Sequence, residues 1–146
     1  MKPKILFLRY GIGCIKNEIE RNRLVKIILE EKNIEDEEID RLFPNAVKRI
    51  KTIAKNRNPW SYEVIEEYWQ IHHNRMIDRG LDGFEHHGDS QKDFCKVHLA
   101  EVKEVSGNHY VVKYSNIEKR VLNVILQGIN IGERIYIHRG YAVKKA

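Results

Sequence analysis

The sequence predicts an α+β protein in which a helical N-terminal part is followed by a small five-stranded β-barrel. Up to about residue 79, apolar residues recur at the spacing of one helix face. From Cys95 onward the pattern changes, and apolar and polar residues alternate as in half-buried strands. Because glycines separate the two patterns, we expect a helical domain over 1–80, a linker loop over 81–93 and a barrel over 94–146.

About four helices are expected in the helical domain. The glycines within residues 9–14 indicate a turn near the start of the chain. An asparagine then precedes a helix over about Glu18–Lys32, which its side chain can cap. Acidic residues at 35–38 favour the start of a second, shorter helix, where the helix dipole is positive. Pro44 fits the first turn of a third helix that extends to about Asn56.

The fourth helix is expected from Ser61, its cap, to about Arg79. Apolar residues at helical spacing place His72 on its buried face and turn His73 aside. A histidine on such a face is more often a hydrogen-bonded core residue than a ligand, so we interpret His72 as structural.

Residues 81–93 are expected to form an irregular surface loop, because they combine glycines with few apolar residues. The loop carries the adjacent pair His86 and His87. A loop that joins a helical domain to a barrel can lie over the barrel mouth. It would then bring His86 and His87 near Cys95 and His98, which together offer ligands for a transition metal or zinc.

The last third of the chain predicts short strands in a closed barrel, an arrangement that leaves no exposed sheet edge. The expected strands cover 96–105, 109–114, 118–126, 131–138 and 141–144, with a tight hairpin at 106–108. If the first and fourth strands are antiparallel neighbours, as in OB-like barrels, the start of one lies beside the end of the other. Cys95 and His138 then meet at one rim.

Two motifs bound the barrel: Cys95-Lys96-Val97-His98 at its start, and Gly132 to Ala142, which contains Ile137-His138-Arg139-Gly140-Tyr141, near its end. Together they resemble the HypC/HupF family, the small chaperones of nickel-iron hydrogenase maturation, over about residues 95–146. The resemblance implies an OB-like barrel. It also implies that Cys95 and His138 hold an iron fragment in transit to the enzyme.

A thiolate and a neutral imidazole are ligands suited to iron or zinc, so Cys95 and His138 are the leading candidate pair. His98 and one of His86 or His87 are candidate further donors. On a regular strand, however, His98 faces away from Cys95 unless a bulge re-aims it. The alternative is that Cys95 is a buried apolar residue and that His138 is a rim residue bonded to the backbone.

We therefore expect a non-catalytic chaperone or adaptor for metalloenzyme assembly that binds a protein client or maturation partner. An enzyme is not expected, because Cys95 opens a predicted strand with no helix dipole behind it, and no paired acid and base are evident. The rival hypothesis is a nucleic-acid-binding OB-like barrel. It rests on nine Lys and Arg against five Asp and Glu in residues 93–146.

A cytoplasmic protein without a membrane partner is expected. No apolar run approaches the roughly 18 residues that a membrane span needs, and Arg9 interrupts the apolar start before it could act as a signal peptide. The two cysteines, Cys14 and Cys95, are widely spaced and predict reduced thiols instead of a disulfide framework.

Overall fold

A computed structural model describes residues 1–81 and 83–146. Its N-terminal part is helical and its C-terminal part is a closed five-stranded barrel, so the predicted fold class is confirmed. The chain divides into two compact units, Met1–Arg75 and Met76–Ala146. Among the described residues, no helix has both the length and the apolar character to cross a bilayer.

The helices of the N-terminal part begin with α1 and end with a long stretch that changes its pitch. Their bounds are α1 Pro3–Gly11, α2 Glu18–Glu30, α3 Asp36–Leu42, α4 Pro44–Ala54, α5 Tyr62–Glu67, a π-helical turn Tyr68–His72, and α6 His73–Asp78. The two predicted caps are confirmed. Asn17 accepts a hydrogen bond from the Glu20 N–H at 2.9 Å, and Ser61 accepts one from the Val64 N–H at 3.3 Å.

The sequence missed α1, because its buried surface is not confined to one face. Residues 5–8 are all at most 1% exposed, so their apolar run shows no helical period. Pro3 stands in the first turn, where its missing N–H costs nothing. Phe7 packs edge-on against Phe43 at 5.2 Å and Trp60 at 5.5 Å between ring centroids. The predicted turn is reduced to a 3-10 segment, Ile12–Cys14.

The roles predicted for His72 and His73 are reversed. His73 is 7% exposed and packs against Trp69 at 4.9 Å, whereas the His72 side chain is 37% exposed and pairs with Glu67 at 3.2 Å. The physical reason is the π-helical turn Tyr68–His72, which adds a residue to one turn and rotates every later side chain. A strict period of 3.6 cannot reveal such an insertion.

The expectation of an irregular loop over 81–93 is wrong for most of that range. A 3-10 helix covers Phe84–His86, and α7 covers Asp89–Cys95. Asp89 lies in the first turn of α7 and Lys92 in its last, which suits the helix dipole at both ends. Cys95 consequently ends a helix instead of opening a strand.

The barrel consists of β1 Val97–Ser106, β2 His109–Tyr114, β3 Ile117–Leu122, β4 Arg134–His138 and β5 Tyr141–Lys145. Their order is β1-β2-β3-β5-β4, and β4 pairs with β1 to close the barrel. Every pair is antiparallel except β3 with β5. Alternate residues fill the interior and form one core, including Val102, Tyr110, Val112, Val121, Ile135 and Ile137. This is the predicted OB-like arrangement.

The third and fourth strands are shorter than predicted, because residues 123–131 close one end of the barrel. The buried Asn123 donates from its main-chain N–H to Asn108 O at 3.0 Å and from its side chain to Gly107 O at 3.2 Å. Tyr110 donates its hydroxyl to Leu126 O at 2.7 Å. These bonds satisfy polar groups that a continued strand would have paired. The opposite end, where α7 leads into β1, carries the candidate site.

Candidate functional site

Cys95 and His138 meet where β1 starts and β4 ends. The register pairs Val97 with His138, and Cys95 lies two residues before Val97. His138 Nε2 is 2.9 Å from the main-chain oxygen of Cys95. Because a carbonyl oxygen accepts, Nε2 carries the proton and donates. Antiparallel pairing of the first and fourth strands had predicted this meeting.

The contact between these residues passes through the backbone of Cys95 and not through its thiol. Cys95 is 3% exposed and His138 is 1% exposed. A metal ion at Nε2 needs the lone pair of that nitrogen, which a proton occupies in this arrangement. In the conformation described, Nε2 is therefore not available to hold an ion together with the thiol. The pair fits the alternative in which Cys95 is a buried apolar residue and His138 is bonded to the backbone.

His98 belongs to the inside of the barrel end. It pairs with Ile137 across the β1–β4 ladder, and both have the inward parity of Ala100. Its ring stacks on Tyr114, with centroids 4.0 Å apart and planes inclined by 14°. Its Nε2 donates to the main-chain oxygen of Asp93 at 2.7 Å. His98 is thus held in a different set of contacts from His138.

His86 and His87 lie in and directly after the 3-10 helix. The His87 ring packs edge-on against Phe84 at 5.1 Å, and its Nδ1 is buried without a hydrogen-bond partner among the described residues. Within 1–81 and 83–146, no three His, Cys, Asp or Glu side chains are grouped so that they could hold a metal ion. The structure therefore joins Cys95 to His138 but does not assemble the larger predicted set.

The sequence missed a polar cluster formed by Asp93, His98, Tyr114 and Lys119. Tyr114 donates its hydroxyl to Asp93 Oδ2 at 2.5 Å, and Lys119 Nζ donates to the same oxygen at 3.2 Å. Lys119 shares the parity of the buried Val121 on β3, so its stem points toward the barrel end. The alternation of residues on β3 could have indicated this cluster, because a lysine at an inward position needs a polar partner.

Burial and hydrogen bonding set the protonation states of this cluster. Burial lowers the pKa of His98 below its ordinary value, against the opposing effect of its contacts with Asp93, so the ring is neutral at neutral pH. Burial alone would raise the pKa of Asp93, but the hydrogen bonds from Tyr114 and Lys119 lower it. Burial also opposes the charged form of Lys119, yet the pKa of Lys119 is raised by Tyr114 and Asp93.

A small cavity of about 40 Å³ adjoins this cluster at the α7 end of the barrel. Four cationic residues are among those that line it: Lys96, Lys119, Arg120 and Arg139. Phe94 also lines it, with 44% of the residue exposed, and Lys119 Nζ lies 5.7 Å from the centroid of its ring. The surplus of positive charge that the sequence assigned to the barrel is therefore concentrated in part around one opening.

No family model, no curated protein and no solved structure matches this chain. Its class is consequently defined by fold and site alone. It is an OB-like barrel that follows a helical unit, with a buried cysteine–histidine contact and a cationic cavity at one barrel end.

Proposed function

We propose that this chain is a non-catalytic chaperone or adaptor in metalloenzyme assembly, of the kind that serves nickel-iron hydrogenases. The observation that carries the proposal is the meeting of Cys95 and His138 at one end of an OB-like barrel. A cysteine thiolate and an imidazole form a ligand pair suited to iron. The iron fragment is cargo, which is received from one protein and delivered to another.

Loading requires the end of α7 to move away from the barrel. In the closed arrangement, His138 Nε2 is bonded to Cys95 O and both residues are buried. Displacement of α7 would release the ring nitrogen and give the thiol access to solvent. A protein client or maturation partner that binds this end of the barrel supplies the free energy for that opening. The closed state protects the thiol from oxidation between deliveries.

Anaerobic titration of the full chain with Fe²⁺, and separately with Zn²⁺, tests the pair in the presence and absence of a hydrogenase large subunit. Cys95→Ala and His138→Gln should each abolish binding, and the glutamine amide can still donate to Cys95 O. Matched controls are Cys14→Ala and His109→Gln, which should bind as the unchanged chain does. Metal binding that survives both site substitutions would refute the proposed cargo site.

The second candidate is a nucleic-acid-binding barrel, favoured by the four cationic side chains and the exposed Phe94 at the cavity. Such residues can contact phosphates and stack on a base. Affinity for a single-stranded oligonucleotide should then fall steeply with added salt and persist in Cys95→Ser. A metal-handling adaptor should show the opposite pattern: no salt-dependent oligonucleotide binding, and loss of metal on the same substitution.

A further inference from the structure

Arg139 occupies a backbone conformation that does not favour arginine. It follows β4 directly and has φ of 46°, and the next residue, Gly140, has φ of 84°. Two successive positive φ values in a two-residue hairpin belong to a type I′ turn, in which Asn-Gly is the preferred pair. Gly140 meets that requirement, whereas Arg139 has a Cβ in the left-handed region, where it is strained. Because backbone strain of this kind is concentrated at functional sites, it points to a function for the Arg139 side chain.

The guanidinium of Arg139 is also incompletely satisfied. Its Nε is buried and has no hydrogen-bond partner among the described residues. Buried polar groups are nearly always paired, because an unpaired donor loses its water without compensation. Arg139 is also among the residues that line the cavity at the α7 end of the barrel, so an anion held there would lie beside this incompletely bonded residue. An arginine prefers a carboxylate or phosphate as its partner.

The charges around the cavity favour an anion. Lys119 is bonded to Asp93 and Lys96 is paired with Asp78, so these two cations are partly neutralised. None of the described residues that line the cavity is an Asp or Glu, so the lining offers no carboxylate to Arg139. Enclosure in protein strengthens the attraction between such cations and an anion, because the local dielectric constant is lower than that of water.

The volume of the cavity limits the size of the ligand that it can bind. Its volume of about 40 Å³ is far below the roughly 300 Å³ at which pockets that bury a drug-sized ligand begin. One compact anionic group can enter, and any organic remainder must stay outside. The half-exposed ring of Phe94 lies at the rim, where a planar remainder could stack on it.

We infer that the α7 end of the barrel is a binding site for a phosphate-type anion, with Arg139 as its principal cation and Lys119 beside it. The phosphate belongs either to a small phosphorylated molecule or to a nucleic-acid backbone, and the chemistry of recognition is the same in both cases. The site uses neither Cys95 nor His138, so substitutions at those two residues distinguish it from the proposed metal cargo site.

Calorimetric titration of the full chain with inorganic phosphate, at constant ionic strength set by chloride, tests the site. Arg139→Asn should weaken phosphate binding by about tenfold or more, because it removes a charge-assisted hydrogen bond. The same substitution should keep or raise the melting temperature in chloride, because asparagine tolerates the left-handed conformation. Arg134→Asn, at the other end of β4, is the matched control with an equal loss of charge, and it should bind phosphate normally.

If Arg139→Asn lowers the melting temperature in chloride, Lys119→Gln replaces it as the deciding variant, again with an expected loss of affinity. A short single-stranded oligonucleotide distinguishes the two sources. If the oligonucleotide displaces phosphate, the site is assigned to a nucleic-acid backbone. If it does not, the site is assigned to a small phosphorylated molecule. Two results would overturn the inference. One is an injection heat for phosphate that equals the heat of a chloride blank, and the other is an equal loss of phosphate affinity in Arg134→Asn.

Discussion

The imidazole of His138 donates a hydrogen bond from Nε2 to the main-chain oxygen of Cys95, 2.9 Å away. The bond ties the last residue of α7 to the last residue of β4. Both residues are almost completely buried, so water cannot replace the bond when it is lost. The same contact should therefore stabilise the barrel end, and in the opening proposed above it must break before the cysteine becomes accessible.

Replacing His138 by alanine should destabilise the barrel. The substitution leaves the buried oxygen of Cys95 without its donor and opens a cavity, for which we expect a loss of about 2 to 4 kcal/mol in the free energy of unfolding. His138→Gln retains a donor and should lose clearly less. Urea denaturation followed by circular dichroism measures both. Equal stability of the alanine variant and the unchanged chain would show that the bond is not formed in solution.

Opening of α7 should also control the reactivity of the Cys95 thiol, whereas Cys14 serves as an internal reference. Cys95 is buried whereas Cys14 is partly exposed, so a thiol reagent should modify Cys14 first under native conditions. His138→Ala should accelerate modification of Cys95 and leave Cys14 unchanged. Mass spectrometry after timed labelling identifies the modified residue. Rapid labelling of Cys95 in the unchanged chain would contradict a closed barrel end.

The stability of the protein should fall as the pH decreases from about 6.5, the ordinary pKa of histidine. Burial lowers the pKa of His98 in the folded state, so the unfolded chain binds more protons in this range. The stabilisation is complete above about pH 6.5 and is lost as the pH falls through the folded pKa of His98. The lowered pKa of Asp93 adds a second loss of the same sign at more acidic pH.

His98→Gln should flatten the upper part of this dependence, because glutamine does not titrate. His109→Gln, on the side of β2 that faces away from the core, is the matched control and should keep the slope. Chemical denaturation at several pH values between 5 and 7.5 gives the comparison. A slope unchanged by His98→Gln would assign the acid sensitivity to other groups.

The alternation of residues predicted the barrel well, since each strand places one face in the core. It also predicted that Cys95 and His138 meet, because that follows from strand order alone. It could not show that Cys95 is the last residue of α7 and does not belong to a strand. Nor could it show that His138 Nε2 donates a hydrogen bond to the main-chain oxygen of Cys95.

The other features that the sequence did not predict have separate physical causes. The first helix is buried on all sides, so its apolar run lacks a period. The π-helical turn shifts the phase between His72 and His73. The Asp93 cluster joins residues 21 and 26 positions apart in the sequence, through Tyr114 and Lys119. Contacts of that separation depend on the barrel register, and no local pattern encodes them.

The carboxylate of Asp93 should act in opposite directions on stability and on anion binding. It accepts hydrogen bonds from Tyr114 and Lys119, so Asp93→Asn should cost about 1 to 2 kcal/mol of unfolding free energy at neutral pH. The same substitution removes the negative charge that neutralises Lys119 and should therefore tighten phosphate binding at the cavity. Denaturation and phosphate titration of one preparation measure both effects. Asp89→Asn, in the same helix α7, is the matched control for charge: it should lose only the helix-dipole contribution, about 0.3 to 1 kcal/mol, and leave phosphate binding unchanged. Weaker phosphate binding in a folded Asp93→Asn variant would show that the cations around Arg139 do not act on a shared anion.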